Sequence, residues 1–337
     1  MRLLVTGGCG FLGSHFVREW LRRHDDATIV NADLLTYAGS VDNLEEAARD
    51  TRHRHERVDV ADPVAVDRLW ADGFDLVVHF AAETHVDRSL EDAGRFVRTN
   101  VTGTETLLAT MGPQRAGAAR PVVIIVSTDE VYGPTPEGMT FGTDAPLCPT
   151  SPYAASKAVA DRLALAYARA FELDLTIVRS VNVYGPRQYP EKVVPLFVSR
   201  AIAGERLPLY GDGLQRRSWL YVDDFVDGLM RIAEDSIRRR EHTIWHLGSR
   251  DETDNLELAR TICELCGADP ALITHVEDRP GHDRRYALDF SQTERAFDWS
   301  PQMPLRAGLE RTVAWIRANI EWCRRRTDWK PAFLRGE

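Results

Sequence analysis

The chain has 337 residues, of which 44% are hydrophobic and 28% are charged, and its formal net charge is −9 at pH 7. This length allows one large domain or two closely joined domains with a substantial core, and the acidic balance argues against a surface that binds nucleic acid. No apolar run approaches the roughly 20 residues that span a bilayer, and the N-terminus enters a glycine loop too early for a signal peptide. We therefore expect a cytoplasmic protein.

The five cysteines stand at positions 9, 148, 263, 266 and 323, at irregular intervals. Such spacing indicates reduced thiols rather than a disulfide framework. Cys263 and Cys266 have the separation of a metal-ligand pair, but no second pair follows and their segment has a helical pattern. No metal site is predicted.

The first half of the chain alternates short β-rich runs with helical patterns. The predicted strands are the runs 3–5, 28–30, 57–60, 76–78, 122–126 and 175–178. A helix is predicted over 14–24, where Phe16, Val17, Trp20 and Leu21 recur at helical spacing. This alternation predicts an α/β fold with a doubly wound, Rossmann-type parallel sheet that is covered on both faces.

After about residue 181 the alternation becomes irregular, because prolines break it into shorter elements. This part of the chain is predicted to form a smaller C-terminal lobe. Two stretches, 219–234 and 244–248, are regular enough to return to the main sheet. The predicted division is a first domain over 1–180, to which 219–248 partly returns, and a lobe over 181–337.

A glycine loop follows the first predicted strand and leads into the first predicted helix. Gly7, Gly10 and Gly13 have the spacing GxxGxxG, which permits a tight turn and brings the backbone and a helix N-terminus close to a pyrophosphate. Asp33 lies about twenty residues beyond Gly13, at the end of the second strand. A carboxylate there accepts hydrogen bonds from the adenosine ribose and repels a 2′-phosphate. The pattern therefore predicts a site for NAD rather than NADP.

Two further strand ends are predicted to contact this cofactor. Phe80, Ala81 and Ala82 close the fourth strand with small residues that let the backbone approach the ligand. Asp59 and Val60 close the third predicted strand and are a weaker candidate contact to the adenine.

Polar residues follow the fifth predicted strand, where ligands bind in this architecture. They are Ser127, Thr128, Asp129 and Glu130. Two adjacent carboxylates in a cleft disfavour each other's ionisation, which is costly if they are only structural. We interpret Asp129 and Glu130 as catalytic, whereas a capping role is the alternative for Ser127 or Thr128.

Tyr153 and Lys157 stand four residues apart at the start of a predicted amphipathic helix. They share one helix face, so the ammonium is expected to lower the pKa of the phenol toward that of a working base. Only three of the 42 basic residues are lysines, namely Lys157, Lys192 and Lys330. A lysine retained in so arginine-rich a chain is a candidate for a role that arginine cannot fill.

The glycine loop, the strand-two Asp and the Tyr-x-x-x-Lys pair together resemble the extended short-chain dehydrogenase/reductase family. Within it, the chain resembles the dTDP-glucose 4,6-dehydratases over nearly its whole length. The similar segments are 33–39, 81–89, 128–133, 184–187, 190–192, 219–224 and 278–286. The triplet Thr128-Asp129-Glu130 discriminates, because related decarboxylases and GDP-mannose dehydratases typically have Thr-Ser-Glu and 4-epimerases lack the carboxylate pair.

The resemblance implies the conversion of dTDP-glucose into dTDP-4-keto-6-deoxyglucose by an internal, NAD-mediated hydride transfer. Tyr153, helped by Lys157 and Thr128, takes the sugar O4 proton while C4 is oxidised. Glu130 then removes the C5 proton and Asp129 protonates the departing C6 hydroxyl, after which C6 is reduced. The alternatives are a UDP-sugar decarboxylase or 4-epimerase on the same scaffold, and a non-catalytic NAD-binding protein.

With the resemblance added, the predicted cofactor-binding residues are Gly7, Gly10, Phe11, Leu12, Gly13, Asp33, Leu35, Thr36, Asp59, Val60, Phe80, Ala81, Ala82, Thr99, Tyr153 and Lys157. The implied substrate-binding residues are Thr84, Asn182, Glu191, Lys192, Arg217, Asn255, Arg279 and His282. The residues 1–180 thus become an NAD-binding domain, and 181–337 a nucleotide-sugar-binding lobe.

The resemblance also implies a homodimer, in which the helices at 101–111 and 151–172 pair with their copies. Four positions depart from the family pattern: Val183 stands for a second Asn, Ser218 for an acidic residue, His246 for a common Asn and Thr84 for the more usual Ser. None of the four belongs to the predicted catalytic set.

Overall fold

The computed structural model describes residues 1–111 and 120–326. The strands are β1 Arg2–Thr6, β2 Thr28–Ala32, β3 His53–Glu56, β4 Leu76–His79, β5 Val122–Thr128, β6 Leu175–Ser180, β7 Asn182–Tyr184, β8 Leu207–Tyr210, β9 Arg216–Tyr221, β10 Thr243–Leu247, β11 Glu252–Asp254 and β12 Ile273–Val276. The helices are α1 Phe11–Arg23, α2 Pro63–Leu69, α3 Val86–Glu91, α4 Ala93–Phe96, α5 Gly103–Met111, α6 Pro152–Phe171, α7 Val193–Ala203, α8 Val222–Arg239, α9 Asn255–Cys266, α10 Ser291–Phe297, α11 Leu305–Ala318 and α12 Ile320–Arg324.

A seven-stranded parallel sheet in the order β10-β6-β5-β4-β1-β2-β3 organises the first half of the chain. Alternate residues of its central strands point to opposite faces. On one face, Leu3 and Val5 pack with α1 and α8; on the other, Leu4 packs with α2, α5 and α6. This is the predicted doubly wound α/β fold, with both faces of the sheet covered.

The second part of the chain has its own core and its own small sheets. β11, β9 and β7 form a three-stranded sheet, and β12 pairs with β8. Tyr184, Trp219 and Tyr221 pack with residues of α7, α9 and α11 in a third hydrophobic cluster. This lobe faces the carboxyl edge of the main sheet and supplies the second wall of the cavity described below.

The stretch 219–248 divides between the two parts. β10 pairs with β6 at the edge of the seven-stranded sheet, and α8 packs on the main core through Phe225 and Leu229. The strand β9, however, pairs with β7 and β11 rather than with the main sheet, so placing residues 219–221 in that sheet was wrong.

The third predicted strand was also misplaced. The strand is β3 at His53–Glu56, at the open edge of the sheet, where pairing with β2 holds residues that are half-buried or exposed. Val58 and Val60 suggested a buried strand, but they lie in the loop beyond it and are buried against the cavity. Burial by a loop and burial in a strand give the same apolar pattern over so few residues.

Within 1–111 and 120–326, no helix combines the length and the apolar character needed to cross a membrane.

Candidate active site

The carboxyl ends of β1, β2, β4, β5 and β6 open into one cavity of about 320 Å³. Parallel strands end at the same edge of a sheet, which is where open α/β sheets bind ligands. The predicted site residues that line this cavity are Gly7, Gly10, Phe11, Leu12, Gly13, Asp33, Thr36, Asp59, Val60, Phe80, Ala81, Ala82, Thr84, Thr99, Thr128, Asp129, Glu130, Tyr153, Lys157, Asn182, Glu191 and Lys192. Those that do not line it are Leu35, Arg217, Asn255, Arg279 and His282.

The glycine loop forms a backbone cradle at one end of the cavity. Gly7 has a φ of +71°, and a Cβ on it would lie 2.6 Å from the backbone N of Ala81. A Cβ on Gly13 would lie 2.4 Å from the carbonyl oxygen of Gly7. Gly10 caps α1 without a side-chain hydrogen bond, so the first N–H groups of this helix can bind an anion. The cradle fits the pyrophosphate of a dinucleotide.

Asp33 lies beside this cradle, buried at the end of β2. One of its carboxylate oxygens accepts a hydrogen bond from Cys9 N at 2.9 Å, and the other accepts one from Leu35 N at 2.8 Å. Leu35 has a φ of 56°, which turns its N–H toward the carboxylate while its side chain stays off the cavity lining. Each oxygen keeps a lone pair for a ribose hydroxyl, so Asp33 fits the predicted contact to the adenosine.

The carboxylate pair lies in a 3₁₀ turn, Asp129–Tyr132, directly after β5. Thr128 caps this turn by accepting a hydrogen bond from Glu130 N at 3.3 Å, and its hydroxyl donates to Asp129 Oδ1 at 3.1 Å. Thr128 therefore caps the turn, as the alternative interpretation expected, and it also lines the cavity. Asp129 Oδ2 and Glu130 Oε2 have no hydrogen-bond partner among the described residues, so each can contact a bound ligand.

Burial raises the pKa of both carboxylates, while different neighbouring charges act on each of them. Burial, followed by the charge of Glu130, raises the pKa of Asp129 to about 7, although Arg217 opposes the shift. Burial also raises the pKa of Glu130, which the charges of Arg279, Arg217 and Lys192 oppose. Asp129 can therefore carry a proton near neutral pH, while Glu130 is surrounded by cations that favour its ionised form.

Tyr153 and Lys157 stand on the first turns of α6, which begins after Ser151 caps it through a hydrogen bond from Ala154 N. Lys157 Nζ donates to the carbonyl oxygen of Val126 on β5 at 2.7 Å. This bond fixes the ammonium against β5, the strand that leads into the turn of Asp129 and Glu130.

The expectation that Lys157 lowers the pKa of the Tyr153 phenol was wrong for the protein without a bound ligand. Burial is the largest cause, and together with the charge of Glu130 it raises the pKa of Tyr153, while hydrogen bonds with Thr84 and Thr128 oppose the shift. The spacing along the helix relates Tyr153 only to the lysine four residues away. It carries no information on desolvation or on the carboxylate of Glu130, which lies in the turn after β5.

Several of the implied substrate-binding residues line the same cavity as the carboxylates. Lys192 Nζ donates to Thr84 Oγ1 at 3.2 Å, and Glu191 pairs with Arg88 at 2.7 Å. Asn182 lies on the lining where β7 begins.

Four implied residues lie behind or beside the cavity instead of lining it. Arg217 donates to the carbonyl oxygen of Asp283 at 3.0 Å, and Arg279 lies 3.8 Å from the carboxylate of Asp87. Both guanidinium groups are close enough to oppose the raised pKa of Glu130. His282 and Asn255 are partly buried in the C-terminal lobe, the first paired with Asp278 and the second at the start of α9.

Tyr37 and Glu83 are among the lining residues that were not predicted as site residues. The hydroxyl of Tyr37 donates to the carbonyl oxygen of Thr84 at 2.9 Å, and the Arg88 guanidinium lies 3.8 Å from its ring centroid. Glu83 is buried, receives a hydrogen bond from Arg95, and has Oε2 without a partner among the described residues. Both lie within the similar segments 33–39 and 81–89, but no spacing rule distinguishes them from their neighbours.

The departures from the family pattern have structural explanations in two cases. Val183 lines the cavity and packs against the main core. His246 lies 2.7 Å from the hydroxyl of Tyr132 and 2.8 Å from the carbonyl oxygen of Asp289, so it anchors the end of the turn that carries Asp129. Ser218 is buried in β9, and its contacts give no reason for the substitution.

Cys263 and Cys266 lie on α9, and in the part of the chain that the structure describes no group of three potential metal ligands is present. Lys330 lies outside the described residues.

Comparison with known proteins extends these observations. A family model described as GDP-mannose 4,6 dehydratase matches residues 4–312. The dTDP-glucose 4,6-dehydratase of Streptomyces griseus is 45% identical over 336 residues, covering 99% of this chain and 98% of the relative. That of Escherichia coli is 38% identical over 356 residues, covering 97% of each chain. The crystal structure of DesIV, a dTDP-glucose 4,6-dehydratase from Streptomyces venezuelae with NAD and TYD bound, superposes with a TM-score of 0.91 at 44% identity, covering 97% of this chain and 100% of that chain.

These matches extend across both the sheet and the C-terminal lobe. They confirm the α/β fold class and the resemblance to the extended short-chain dehydrogenases/reductases. The chain therefore belongs to the GDP-mannose 4,6 dehydratase family.

Proposed function

We propose that this chain is an NAD-dependent dTDP-glucose 4,6-dehydratase, a lyase that forms dTDP-4-keto-6-deoxyglucose. The observation that carries the proposal is the adjacent carboxylate pair of Asp129, which is buried, and Glu130, which is half-buried, in one cavity with Tyr153 and the glycine cradle. A dehydratase needs both an acid and a base beside a redox cofactor. The relatives named above, which are 38–45% identical over nearly the full chain, support the same activity.

The residues present fit NAD. The cradle of Gly7, Gly10 and Gly13 fits a pyrophosphate, and Asp33 fits an adenosine ribose without a 2′-phosphate. When bound, NAD supplies the hydride acceptor and donor that make the overall reaction redox-neutral. Tyr153 and Lys157 lie on the lining beyond the cradle, where they would meet the reactive end of the cofactor.

We assign one proton-transfer step to each of three side chains. Tyr153 takes the proton of the sugar O4 hydroxyl as C4 becomes a ketone, and its hydrogen bonds with Thr84 and Thr128 hold the phenol in place. The ketone acidifies the C5 hydrogen, which Glu130 removes. Asp129, whose raised pKa keeps a proton available near neutral pH, protonates the C6 hydroxyl as it leaves as water.

Lys157 is proposed to assist Tyr153. Its ammonium is held on the Val126 carbonyl, two residues before Thr128 at the end of β5. A fixed positive charge there favours the phenolate form of Tyr153, which is the form that accepts the O4 proton.

The diphosphate of the substrate is proposed to lie toward Lys192, Arg217 and Arg279. Their charges converge on Glu130, and guanidinium groups suit the planar, bidentate recognition of phosphate. Asn182, Thr84 and Glu191 line the adjoining wall and are proposed to contact the sugar. Asn255 and His282, which lie in the C-terminal lobe, are proposed to contact the nucleotide from outside the cavity.

We make two further proposals, one on the division of the chain into domains and one on its oligomeric state. We propose 1–180 as the NAD-binding domain, with 219–248 partly returning to it, and 181–337 as the nucleotide-sugar-binding lobe. We also propose a homodimer formed through α5, α6 and the helical turn that precedes α5. Val97 and Val159 leave 50% and 47% of their surface exposed on these helices, as expected for residues that a second copy covers.

The competing activities on this scaffold are UDP-sugar decarboxylation and 4-epimerisation. Neither requires a protonated carboxyl beside a second carboxylate, since neither eliminates water. Incubation with dTDP-glucose, UDP-glucose and UDP-glucuronic acid, followed by mass spectrometry and by proton NMR of the sugar ring, separates the three. We expect loss of one water from dTDP-glucose. Loss of carbon dioxide from the glucuronic acid, or an unchanged mass with inverted C4, would contradict the proposal.

A further inference from the structure

A continuous path of buried hydrogen bonds runs from the glycine loop to the helix of Tyr153. Its side chains are Thr6, His79, Thr104, Asn100 and Ser156, each at most 3% exposed. Thr6 Oγ1 lies 2.7 Å from His79 Nδ1, and His79 Nε2 lies 3.0 Å from Thr104 Oγ1. Thr104 Oγ1 donates to the Asn100 carbonyl oxygen at 2.7 Å, and Asn100 Nδ2 donates to Ser156 Oγ at 2.8 Å.

Both ends of the path reach the proposed active site. At one end, Thr6 Oγ1 accepts a hydrogen bond from Ala81 N, the same atom against which Gly7 packs. At the other end, Ser156 Oγ donates to the carbonyl oxygen of Tyr153 at 2.7 Å. The path thus connects the backbone of the cofactor cradle with the backbone of the proposed catalytic tyrosine.

Only one arrangement of the hydrogen atoms along this path satisfies all of its hydrogen bonds. A carbonyl oxygen only accepts, so the single hydroxyl proton of Thr104 is committed to Asn100. Thr104 Oγ1 must then accept from His79 Nε2–H. In a neutral imidazole the other nitrogen carries no proton, so His79 Nδ1 accepts from the Thr6 hydroxyl. Burial, followed by the charge of Lys157, lowers the pKa of His79 to about 3, in agreement with a neutral ring.

The helix that carries Asn100 is distorted at this point. The segment Val97–Thr102 is π-helical, and wide turns of this kind recur at functional sites. Asn100 uses both amide hydrogens, one for Ser156 Oγ and one for the carbonyl oxygen of Glu83, and its Oδ1 accepts from Glu83 N. It therefore also fixes the backbone of Glu83, which lines the cavity.

We propose that His79 and Thr104 are positioning residues that hold the helix of Tyr153 in register with the cofactor cradle. A displacement of the cradle at Ala81 is transmitted through Thr6 and the imidazole to Asn100, and from there through Ser156 to Tyr153. This inference rests on the proposed role of Tyr153 as the base. A 1 Å misplacement of a catalytic group can cost about a hundredfold in rate, so a buried brace of this kind affects turnover more than affinity.

The first test interrupts the path at Thr104. Thr104→Val keeps the side-chain shape but leaves His79 Nε2–H without its acceptor. We expect kcat on dTDP-glucose to fall about tenfold, with KM and the NAD dissociation constant within about twofold of wild type. Thr104→Ser, which restores the hydroxyl, is expected to recover kcat to within about threefold.

Thr312→Val is the matched control. Thr312 is fully buried on α11, and its hydroxyl donates to the carbonyl oxygen four residues earlier, Gly308, at 2.7 Å. Thr104 makes the same local bond to Asn100, so both variants lose equivalent contacts within a helix. Thr312→Val is expected to lower the melting temperature without lowering kcat. An equal kcat for the two valine variants would overturn the proposal.

The second test reads the path directly in the wild-type protein. With ¹⁵N-labelled histidine, and with the signal assigned by its loss in His79→Gln, we expect His79 to be neutral and protonated on Nε2 from pH 6 to pH 8. A ring protonated on Nδ1, or on both nitrogens, would overturn the proposal even if Thr104→Val does not fold. Lack of wild-type turnover on dTDP-glucose would count against the proposed function alone, and the tautomer measurement would then decide for or against the path.

Discussion

Asp129→Asn separates the proposed acid from every other feature of the cavity. The amide keeps the shape of the side chain and an oxygen that accepts the hydrogen bond of Thr128. It has no proton to give to a leaving hydroxyl. General acid–base groups contribute about 10²–10⁴-fold to rate, so we expect turnover to fall at least about a hundredfold while substrate still binds. Because the first oxidation precedes elimination, absorbance of reduced cofactor near 340 nm is expected to accumulate.

The same variant should be more stable than wild type above neutral pH. Burial and the charge of Glu130 raise the pKa of Asp129 from 3.8 to about 7, and a difference of about three in pKa corresponds to about 4 kcal/mol. The folded protein holds this proton more tightly than the unfolded chain. The stability linked to it is therefore fully present below about pH 4 and is lost as the pH rises to about 7. Asparagine does not ionise and escapes that loss.

Thermal unfolding at pH 5 and pH 8 measures this difference. With an unfolding entropy of ~2.1 cal/mol/K per residue, about 4 kcal/mol corresponds to a gain of about 6 °C in Tm at pH 8, and the gain should be smaller at pH 5. Asp235→Asn is a suitable control, because Asp235 is buried but paired with Arg238 and Arg239, and its replacement should lower Tm. An Asp129→Asn protein with the same gain at both pH values, or with wild-type turnover, would refute the assignment.

Three further predictions follow from the geometry. Tyr153→Phe is expected to lower kcat by at least about a hundredfold with NAD affinity within about threefold; near wild-type turnover would exclude Tyr153 as the base. Lys157→Arg should also be poorly active, because Nζ occupies a buried position 2.7 Å from the Val126 carbonyl that the bulkier, planar guanidinium does not fit; full activity would show that any cation suffices. Light scattering at micromolar concentration should give twice the monomer mass, and a monomer would contradict the proposed dimer.

Local spacing made the cofactor end predictable from sequence. The turn at Gly7, the close packing at Gly13 and the position of Asp33 each depend on residues within one strand–loop–helix unit, so their separation along the chain carries the geometry. The same holds for Tyr153 and Lys157, which are neighbours on one helix face.

Features that depend on contacts between distant segments were less predictable. The raised pKa of Tyr153 comes from burial and from Glu130 on another element, and neither is visible in the spacing of Tyr153 and Lys157. β9 has a strand pattern, but its partners β7 and β11 are chosen by tertiary structure. Tyr37 enters the cavity wall through a bond to Thr84, 47 residues later in the chain.

The edge strand shows a third kind of limit. β3 contains His53, Arg54, His55 and Glu56, and no apolar periodicity marks it as a strand. Pairing with β2 alone defines it, whereas the apolar residues just beyond it belong to the cavity wall.

The fate of individual hydrogens tests the proposed function most directly. Substrate deuterated at C4 of the glucose is expected to give product deuterated at C6, with no net release of reduced cofactor. In heavy water, unlabelled substrate is expected to gain deuterium at C5, through the proton that Glu130 removes and that exchanges with solvent, and to gain none at C6. Solvent deuterium at C6, or a requirement for stoichiometric NAD, would contradict an internal hydride transfer and with it the proposed mechanism.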